Sequence, residues 1–436
     1  MLLPFWKAPP SRPRFISRHP RPVFAALVGL GLLLAPAVRA NEAEPLSLEA
    51  ALRLAGDQSL QLAAQRSAIA AAEQTTQSSR QLPDPKAILG VDNLPITGPD
   101  SFSFTRDFMT MRRIGVMQEF PRAEKRELKG KLAERVAARE QAVLIDVRAA
   151  LRRDVAAAWV ERYFAERMSE AVTGQLAEAQ LQSDTLRAGL KAGKTQPTEF
   201  LAAQLNLQAL QDKQAEFDKQ AARTKAMLSR WLGDAASRPL AEFATPSLPS
   251  DQAALPEHIS HHPHVRSLDR QAEVAQTEVD LAKAAVKPDW SLEVAYQQRG
   301  PSYSNMVSVQ VSIDLPLFQE RRQNREIAAK LAQAAQARDL REDAVRLHLS
   351  EAQAAWAEWD AAVARLKRFD EALLPLAHQR TQAALAAYRG GRGDLASVLS
   401  ARRDDLDLKL QKLQLSADQA RAYAQLLYFL PARDRP

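Results

Sequence analysis

The chain contains no cysteine. That excludes a disulfide framework, a thiolate metal site, a cysteine nucleophile and a lipid-modified cysteine. Glycine is scarce, with 15 among 436 residues, and aromatics make up only 6%. No Gly-rich phosphate loop follows a strand-like run, and no GxSxG occurs, so the chain shows no catalytic constellation and does not read as an enzyme. GGRG at 390–393 follows a helical stretch and lacks a following Lys-Ser/Thr, which makes it a turn. Beyond the N-terminal leader, no run of 18 apolar residues exists, so no transmembrane helix is expected. What the chain has instead is alanine and leucine: hydrophobic residues reach 46% with few aromatics, the profile of long helices.

Residues 1–40 read as a secretory signal peptide. Lys7, Arg12, Arg14, Arg18 and Arg21 precede the short apolar run VFAALVGLGLLLAP, and Val38 and Ala40 occupy the small-residue cleavage positions. An uncleaved membrane anchor is the alternative, but the run is too short to span comfortably. The leader also carries Arg39 and no acid. The 59 basic residues of the full sequence therefore fall to 53 against 52 acidic ones. The formal charge of +7 belongs largely to the leader, and no nucleic-acid argument survives.

The remainder is duplicated. SLQLAAQRSAIAAAEQTTQSSRQLPD (59–84) aligns without a gap with HVRSLDRQAEVAQTEVDLAKAAVKPD (264–289), placing Pro83-Asp84 on Pro288-Asp289. The stretch from 115 pairs with that from 309, placing Pro121 on Pro316, and 188–204 pairs with 387–402, placing Gly193 on Gly391. Three blocks in one order outweigh any single match. The domains expected are a first repeat at 41–233, a proline-rich linker at 234–256 packed outside the helices, and a second repeat at 257–436.

Each repeat reads as helix, Pro-Asp, strand, loop, strand, Pro, very long helix, Gly-rich turn, helix. Strands are expected at about 86–94, 111–120, 290–299 and 305–315. In the second half the alternation is clean: Val307, Val309, Val311, Ile313 and Leu315 point one way, and Ser308, Gln310, Ser312 and Asp314 the other. In the first half KAILGVDNL and MRRIGVMQEF alternate less cleanly. The pattern fits an ordinary half-buried hairpin or a barrel wall with lipid outside and water inside. From Arg122 to about Leu190 a helical pattern runs without proline, a rod of roughly 100 Å. A second runs from about Gln319 to Arg389, with Pro375 as a kink or local break. Leu and Ala recur at 3–4 spacing among Arg, Glu and Gln, which is coiled-coil material.

Four strands cannot close a barrel, and open edges are not tolerated in lipid. If the strands are in a membrane, copies must combine, and three copies supply twelve strands with the helices continuing the passage as a tube. The fold class expected is therefore mainly α with a small β part, in duplicated halves.

With this layout the chain resembles the TolC family of outer-membrane efflux channels over essentially its whole mature length. LPDPKAILGVDNLPITGPDSFSFTRDFMTMRRIGVMQEFPRAEKR (82–126) resembles the branch serving heavy-metal efflux, of the cobalt–zinc–cadmium resistance type. The resemblance implies a homotrimer with a 12-stranded barrel in the outer membrane and a helical tunnel in the periplasm. It implies as partners a periplasmic membrane-fusion adaptor and an inner-membrane resistance–nodulation–division pump, with no cofactor. It places gating and adaptor docking at two helix–turn–helix tips: Gly193, Lys194, Thr195 and Glu199 in the first, and Tyr388, Gly391, Arg392, Gly393 and Asp394 in the second. Ser397 and Ser400 stand where better-known members carry aspartates, which puts an acidic second ring in doubt, with Asp394 as a substitute. Three-fold symmetry would turn one tip acid into a ring of three; Glu199 is equally a solvated first-turn acid.

Four histidines, His258, His261, His262 and His264, form a weak metal candidate, since imidazole suits Zn²⁺ and Cu²⁺. Against it, Pro263 breaks the run and the alignment makes the segment a helix-entry turn. His348 and His378 are expected at the surface of long helices, and Trp356 with Trp359 on one packed helical face. Two rival readings stand: a channel of the same build for drugs or secreted substrates, and a periplasmic coiled-coil adaptor or structural protein. An adaptor would carry one helical hairpin, whereas this chain carries the strand-and-hairpin unit twice.

Overall fold

The computed structural model describes residues 44–246, 248 and 252–430; the leader expected at 1–40 lies outside them. The elements run α1 (Leu48–Gln58), α2 (Leu60–Ser78), β1 (Lys86–Asp92), β2 (Met111–Phe120), α3 (Ala123–Lys191) and α4 (Pro197–Leu232). They continue with α5 (Leu255–Ser260), α6 (Pro263–Ala284), β3 (Trp290–Gln298), β4 (Met306–Ile313), α7 (Gln323–Arg368), α8 (Leu374–Arg389) and α9 (Leu395–Phe429). The fold is mainly helical with four antiparallel strands in one sheet, in the order β1-β2-β3-β4. The two repeats thus join through the β2–β3 pair, where Phe120 lies opposite Trp290 and Arg112 opposite Gln298.

Helix boundaries follow local chemistry. Ser47 caps α1 by accepting from the Ala50 N–H at 3.1 Å, and Ser59 caps α2 from the Leu62 N–H at 3.2 Å. The 69 residues of α3 span about 100 Å. It ends where Gly193 takes φ 70° and the Lys194 N–H returns to the Gly189 carbonyl at 2.8 Å. α8 ends identically: Gly391 takes φ 66° and the Arg392 N–H returns to the Ala387 carbonyl at 2.9 Å. Both are left-handed C-terminal caps in which a side chain would be strained, so the glycine pairing of the repeat has a conformational cause. The long second helix is interrupted as Pro375 requires. Proline has no N–H and crowds the carbonyl four residues back, and the chain widens into a π turn at Phe369–Leu373. That helix also begins four residues later than expected: 317–322 are turns.

Helices pack through small residues. Ala334, Ala337, Ala344, Ala352, Ala355 and Ala362 of α7 are all buried at three-, seven- and eight-residue steps that keep one stripe toward its neighbours. α6 lies between α3 and α7, and α2 packs on α3. The largest core surrounds Trp159 in mid-α3, whose indole N–H donates to the Leu46 carbonyl at 3.2 Å. Tyr163 stacks on it at 5.4 Å, and Phe243 meets it edge-on at 5.3 Å. Beside it the buried Arg162 donates to the Ala236 carbonyl at 2.5 Å and the Arg238 carbonyl at 2.9 Å. One face of α3 therefore holds both the start of the described chain and the segment after α4.

Candidate channel wall and periplasmic tip

The sheet has two chemically different faces, and the strand register shows which residues share each. Leu89, Ile114, Tyr296 and Val307 line up across the four strands, and so do Ala87, Val116, Val294 and Val309. This face is apolar yet uncovered: Leu89 is 75% exposed and Val309 66%. The opposite face carries Glu119, Ser291 and Ser312, and a charged row in which Arg113 of β2 reaches Asp92 of β1 at 3.5 Å and Glu293 of β3 at 3.4 Å. A soluble sheet buries its apolar face on a core; this one presents apolar residues outward and ion pairs inward, as a membrane barrel does. Among the described residues no helix is long and apolar enough to cross a membrane. The weaker alternation of the first half is now explained. Arg112 and Gln118 share the apolar face, while Ile88 and Met117 fall on the polar one.

At the helix end of the strands, Phe120 stacks on Trp290 with ring centroids 4.3 Å apart, aromatic rings placed where a barrel meets the interface. The Pro-Asp motif lies just beyond. Asp289 accepts the Arg122 N–H at 3.0 Å, and its other oxygen meets the Lys125 ammonium at 2.8 Å. Lys125 also donates to the Lys287 carbonyl at 2.6 Å. Burial opposes ionisation of Asp289, but the Lys125 and Arg122 bonds prevail and hold its carboxyl below the usual range. The second repeat's aspartate therefore braces the first repeat's longest helix where it leaves the sheet. Asp84, its counterpart, is exposed, and among the described residues none bonds its carboxylate.

At the far end of the helices the two tips meet. Leu186 of α3, Ala203 of α4, and Leu395 and Leu399 of α9 form one buried cluster with Phe200 and Tyr388 against it. Burial, then the nearby negative charge of Glu199, raises the Tyr388 phenol, so residues of both turns share one electrostatic environment. Glu199 also closes a capping box with Gln196, accepting its N–H at 3.4 Å. Asp394 holds the corresponding cap of α9 and accepts the Ser397 N–H at 2.7 Å. Ser397 hydrogen bonds keep its carboxyl below the usual range. Asp394→Ala is expected to expose the first amides of α9, read as severalfold faster hydrogen exchange at 396–398 with the body of α9 unchanged. Gly193, Lys194, Thr195, Gly391, Arg392 and Gly393 complete the two turns.

The histidine run is divided. His261 faces Ser260 and the Glu257 carbonyl at 3.0 and 3.1 Å, and His258 is half-buried on α5. His262 and His264 turn inward and meet His348 of α7, with ring centroids 5.0 and 5.2 Å away. The surface position expected for His348 is thus corrected: it is 8% exposed, because α6 and the end of α9 close over that face of α7. Among the described residues no group of three His, Asp or Glu is arranged to hold a metal ion. His262 bridges two helix ends instead. One ring nitrogen accepts the His264 N–H at 3.2 Å, and the other donates to the Tyr428 carbonyl at 3.0 Å, a role only the neutral ring can fill.

Burial, reinforced by His348, pushes His262 down to about 4. His264, bonded to Asp146 at 2.8 Å, is raised by that bond. The unfolded chain binds a proton at His262 near pH 6.5 and the folded chain only near 4. Stability from this group is full above 6.5 and falls as the pH drops through that window, by up to about 3 kcal/mol. His264 works oppositely, its contribution being lost as pH rises through its folded value. His262→Asn is expected to lower the melting temperature at pH 7.5 and to flatten its decline between pH 6.5 and 4.5.

Comparison with known proteins places this architecture. Residues 254–430, from the end of the expected linker through most of the second repeat, match the outer membrane efflux protein family. The cobalt-zinc-cadmium resistance protein CzcC of Cupriavidus metallidurans is 24% identical over 395 residues, covering 88% of this chain and 89% of that protein. Among solved structures, CusC superposes with a TM-score of 0.74 at 14% identity, covering 88% of this chain and 92% of that one. The CmeC outer membrane channel of Campylobacter jejuni gives 0.75 at 12% identity, covering 88% and 85%. At these identities the structural likeness concerns the fold.

Proposed function

The chain belongs to the outer membrane efflux protein family, and from that premise we propose that three copies form a tripartite-pump exit duct that carries heavy-metal cations out of the cell. It is an outer-membrane channel with a periplasmic helical domain and performs no chemistry. The observation that carries the reading is the two-faced sheet with both edges open. Its apolar face suits lipid, its charged face suits water, and four strands cannot enclose a lumen. Closed cyclic symmetry satisfies both edges of every copy.

The metal assignment draws support from the likeness to CzcC and from the segment 82–126. In this reading a periplasmic adaptor docks at the paired turns around Gly193 and Gly391, and through it an inner-membrane resistance–nodulation–division pump supplies the energy. Glu199 and Asp394, each repeated three times, would present carboxylates to cations at the entrance in addition to capping their helices. Cation selection rests mainly with the pump, because a wide aqueous passage discriminates little.

The test is deletion of the gene followed by growth over graded zinc, cadmium, cobalt, nickel, copper and silver, beside a drug panel. Sensitivity to a subset of metals, restored by the intact gene, is the expected result and names the cargo. Sensitivity to drugs alone would retain the channel and overturn the metal assignment. Soluble periplasmic monomers in fractionation would overturn the channel itself.

A further inference from the structure

The repeat determines more than the order of elements. In the first hairpin Lys86 lies opposite Met117, and in the second Ser291 lies opposite Ser312. Lys86 and Ser291 are 205 positions apart; Met117 and Ser312 are 195 apart. The same offsets place Pro83 on Pro288 and Pro121 on Pro316 in the sequence. Two independent registers thus obey one transformation, so β3 repeats β1 and β4 repeats β2 residue for residue.

Among the described strands the β2–β3 pair joins the two repeats, and its register is known: Phe120 faces Trp290, Val116 faces Val294, and Ile114 faces Tyr296. Its counterpart is the contact between β4 and the β1 of another copy, the two edges left open. Moving β2 forward by 195 and β3 back by 205 carries each observed pair onto one across the seam. Val116 and Val294 become Val311 and Leu89. Ile114 and Tyr296 become Val309 and Val91. Glu119 and Ser291 become Asp314 and Lys86.

We infer that β4 of one copy pairs antiparallel with β1 of the next in this register, with Val311 opposite Leu89 and Asp314 opposite Lys86. The inference rests on the barrel reading above and specifies its closing seam. Two features not used to derive the register agree with it. Every apolar-face residue of β1 meets an apolar-face residue of β4: Ala87 with Ile313, Leu89 with Val311, and Val91 with Val309. A one-residue slip would invert all of them. On the other face Lys86, already bonded to Glu119 at 2.5 Å, gains an opposite charge in Asp314, a favourable cross-strand pair. The side chains are free to be covered: Leu89, Val309 and Val311 are 75%, 66% and 58% exposed.

The absence of cysteine makes the test direct, because an introduced pair has no competitor. Directly opposed antiparallel residues bring their Cβ atoms close enough for a disulfide or a short bis-thiol bridge. The pairs L89C with V311C and A87C with I313C are oxidised in outer-membrane preparations of the full chain. Register-shifted controls are L89C with V309C and A87C with V311C. The expected result is a ladder of covalent dimers and trimers from the first two pairs, at least tenfold stronger than from the controls, with single-cysteine variants staying monomeric on denaturing gels. Native electrophoresis of the same samples separates the two levels of failure. Intact trimers that cross-link through the controls, or through no pair, overturn the register alone. Loss of trimers in the cysteine-free parent overturns the barrel reading with it.

Discussion

Replacing Trp159 with alanine is expected to destabilise the helical body by about 3–5 kcal/mol, the usual cost of truncating a large buried aromatic. Trp159 is 1% exposed, and three effects combine at this one side chain. Its ring fills the space between α3, the segment at Phe243 and the stacked Tyr163. Its N–H donates to the Leu46 carbonyl, which also accepts the Ala241 N–H at 3.2 Å, so truncation removes one of two bonds at that buried oxygen. The indole packs in one core with Ala236, next to the bonds that Arg162 makes to the Ala236 and Arg238 carbonyls. Denaturant unfolding of the detergent-solubilised protein, followed by far-ultraviolet circular dichroism, measures the loss. Trp159→Phe is expected to recover more than half of it, because the ring contacts survive and the hydrogen bond does not. A loss below about 1 kcal/mol for alanine would mean that this core does not hold the strap.

The second large effect is expected in the sheet and depends on face. Val309→Arg sets a guanidinium on the apolar side in mid-strand, which costs about 2–4 kcal/mol per copy in a bilayer and would recur three times in the proposed trimer. Little protein should reach the outer membrane in a heat-resistant form. Gln310→Arg, one residue on, points to the charged side beside Glu293 and should assemble at the parental level. Heat-modifiable mobility of outer-membrane fractions compares the two. Equal assembly of both variants would show that the apolar face does not meet lipid.

Much of this architecture is legible in the sequence because it is written in periodicities. The alternation of 305–315 marks a strand with two unlike faces, the paired glycines mark two left-handed caps, and Pro375 marks a break that the backbone resolves as a π turn. The family resemblance read from these segments agrees with the match over 254–430 and with the shared fold. What periodicity does not encode is which helical face meets which. His348 lies more than eighty positions beyond His264, and nothing in its own helix announces that α6 will cover it. The same holds for Asp289. The Pro-Asp repeat is visible in the sequence, but its bond to Arg122 and Lys125 exists only because β3 is laid beside β2. At the tips, Glu199 reads as a gate or as a helix-capping acid; the structure displays the cap, and a gate role is part of the proposal.

The brace at Asp289 has a mechanical consequence. Where β2 passes into α3 the joint is cross-tied by Lys125 and Arg122, whereas β4 passes into α7 through the turns 317–322, held by local backbone bonds such as the Arg321 N–H to the Phe318 carbonyl at 3.2 Å, with Leu317 and Phe318 bare at 75% and 74% exposure. In the proposed ring of three, joints braced by Asp289 and joints made of turns would alternate. Torque applied at the paired turns would be carried straight into the barrel along three of its six supports and absorbed by the other three. A duct so assembled would yield at the turn-held joints before the barrel wall was strained.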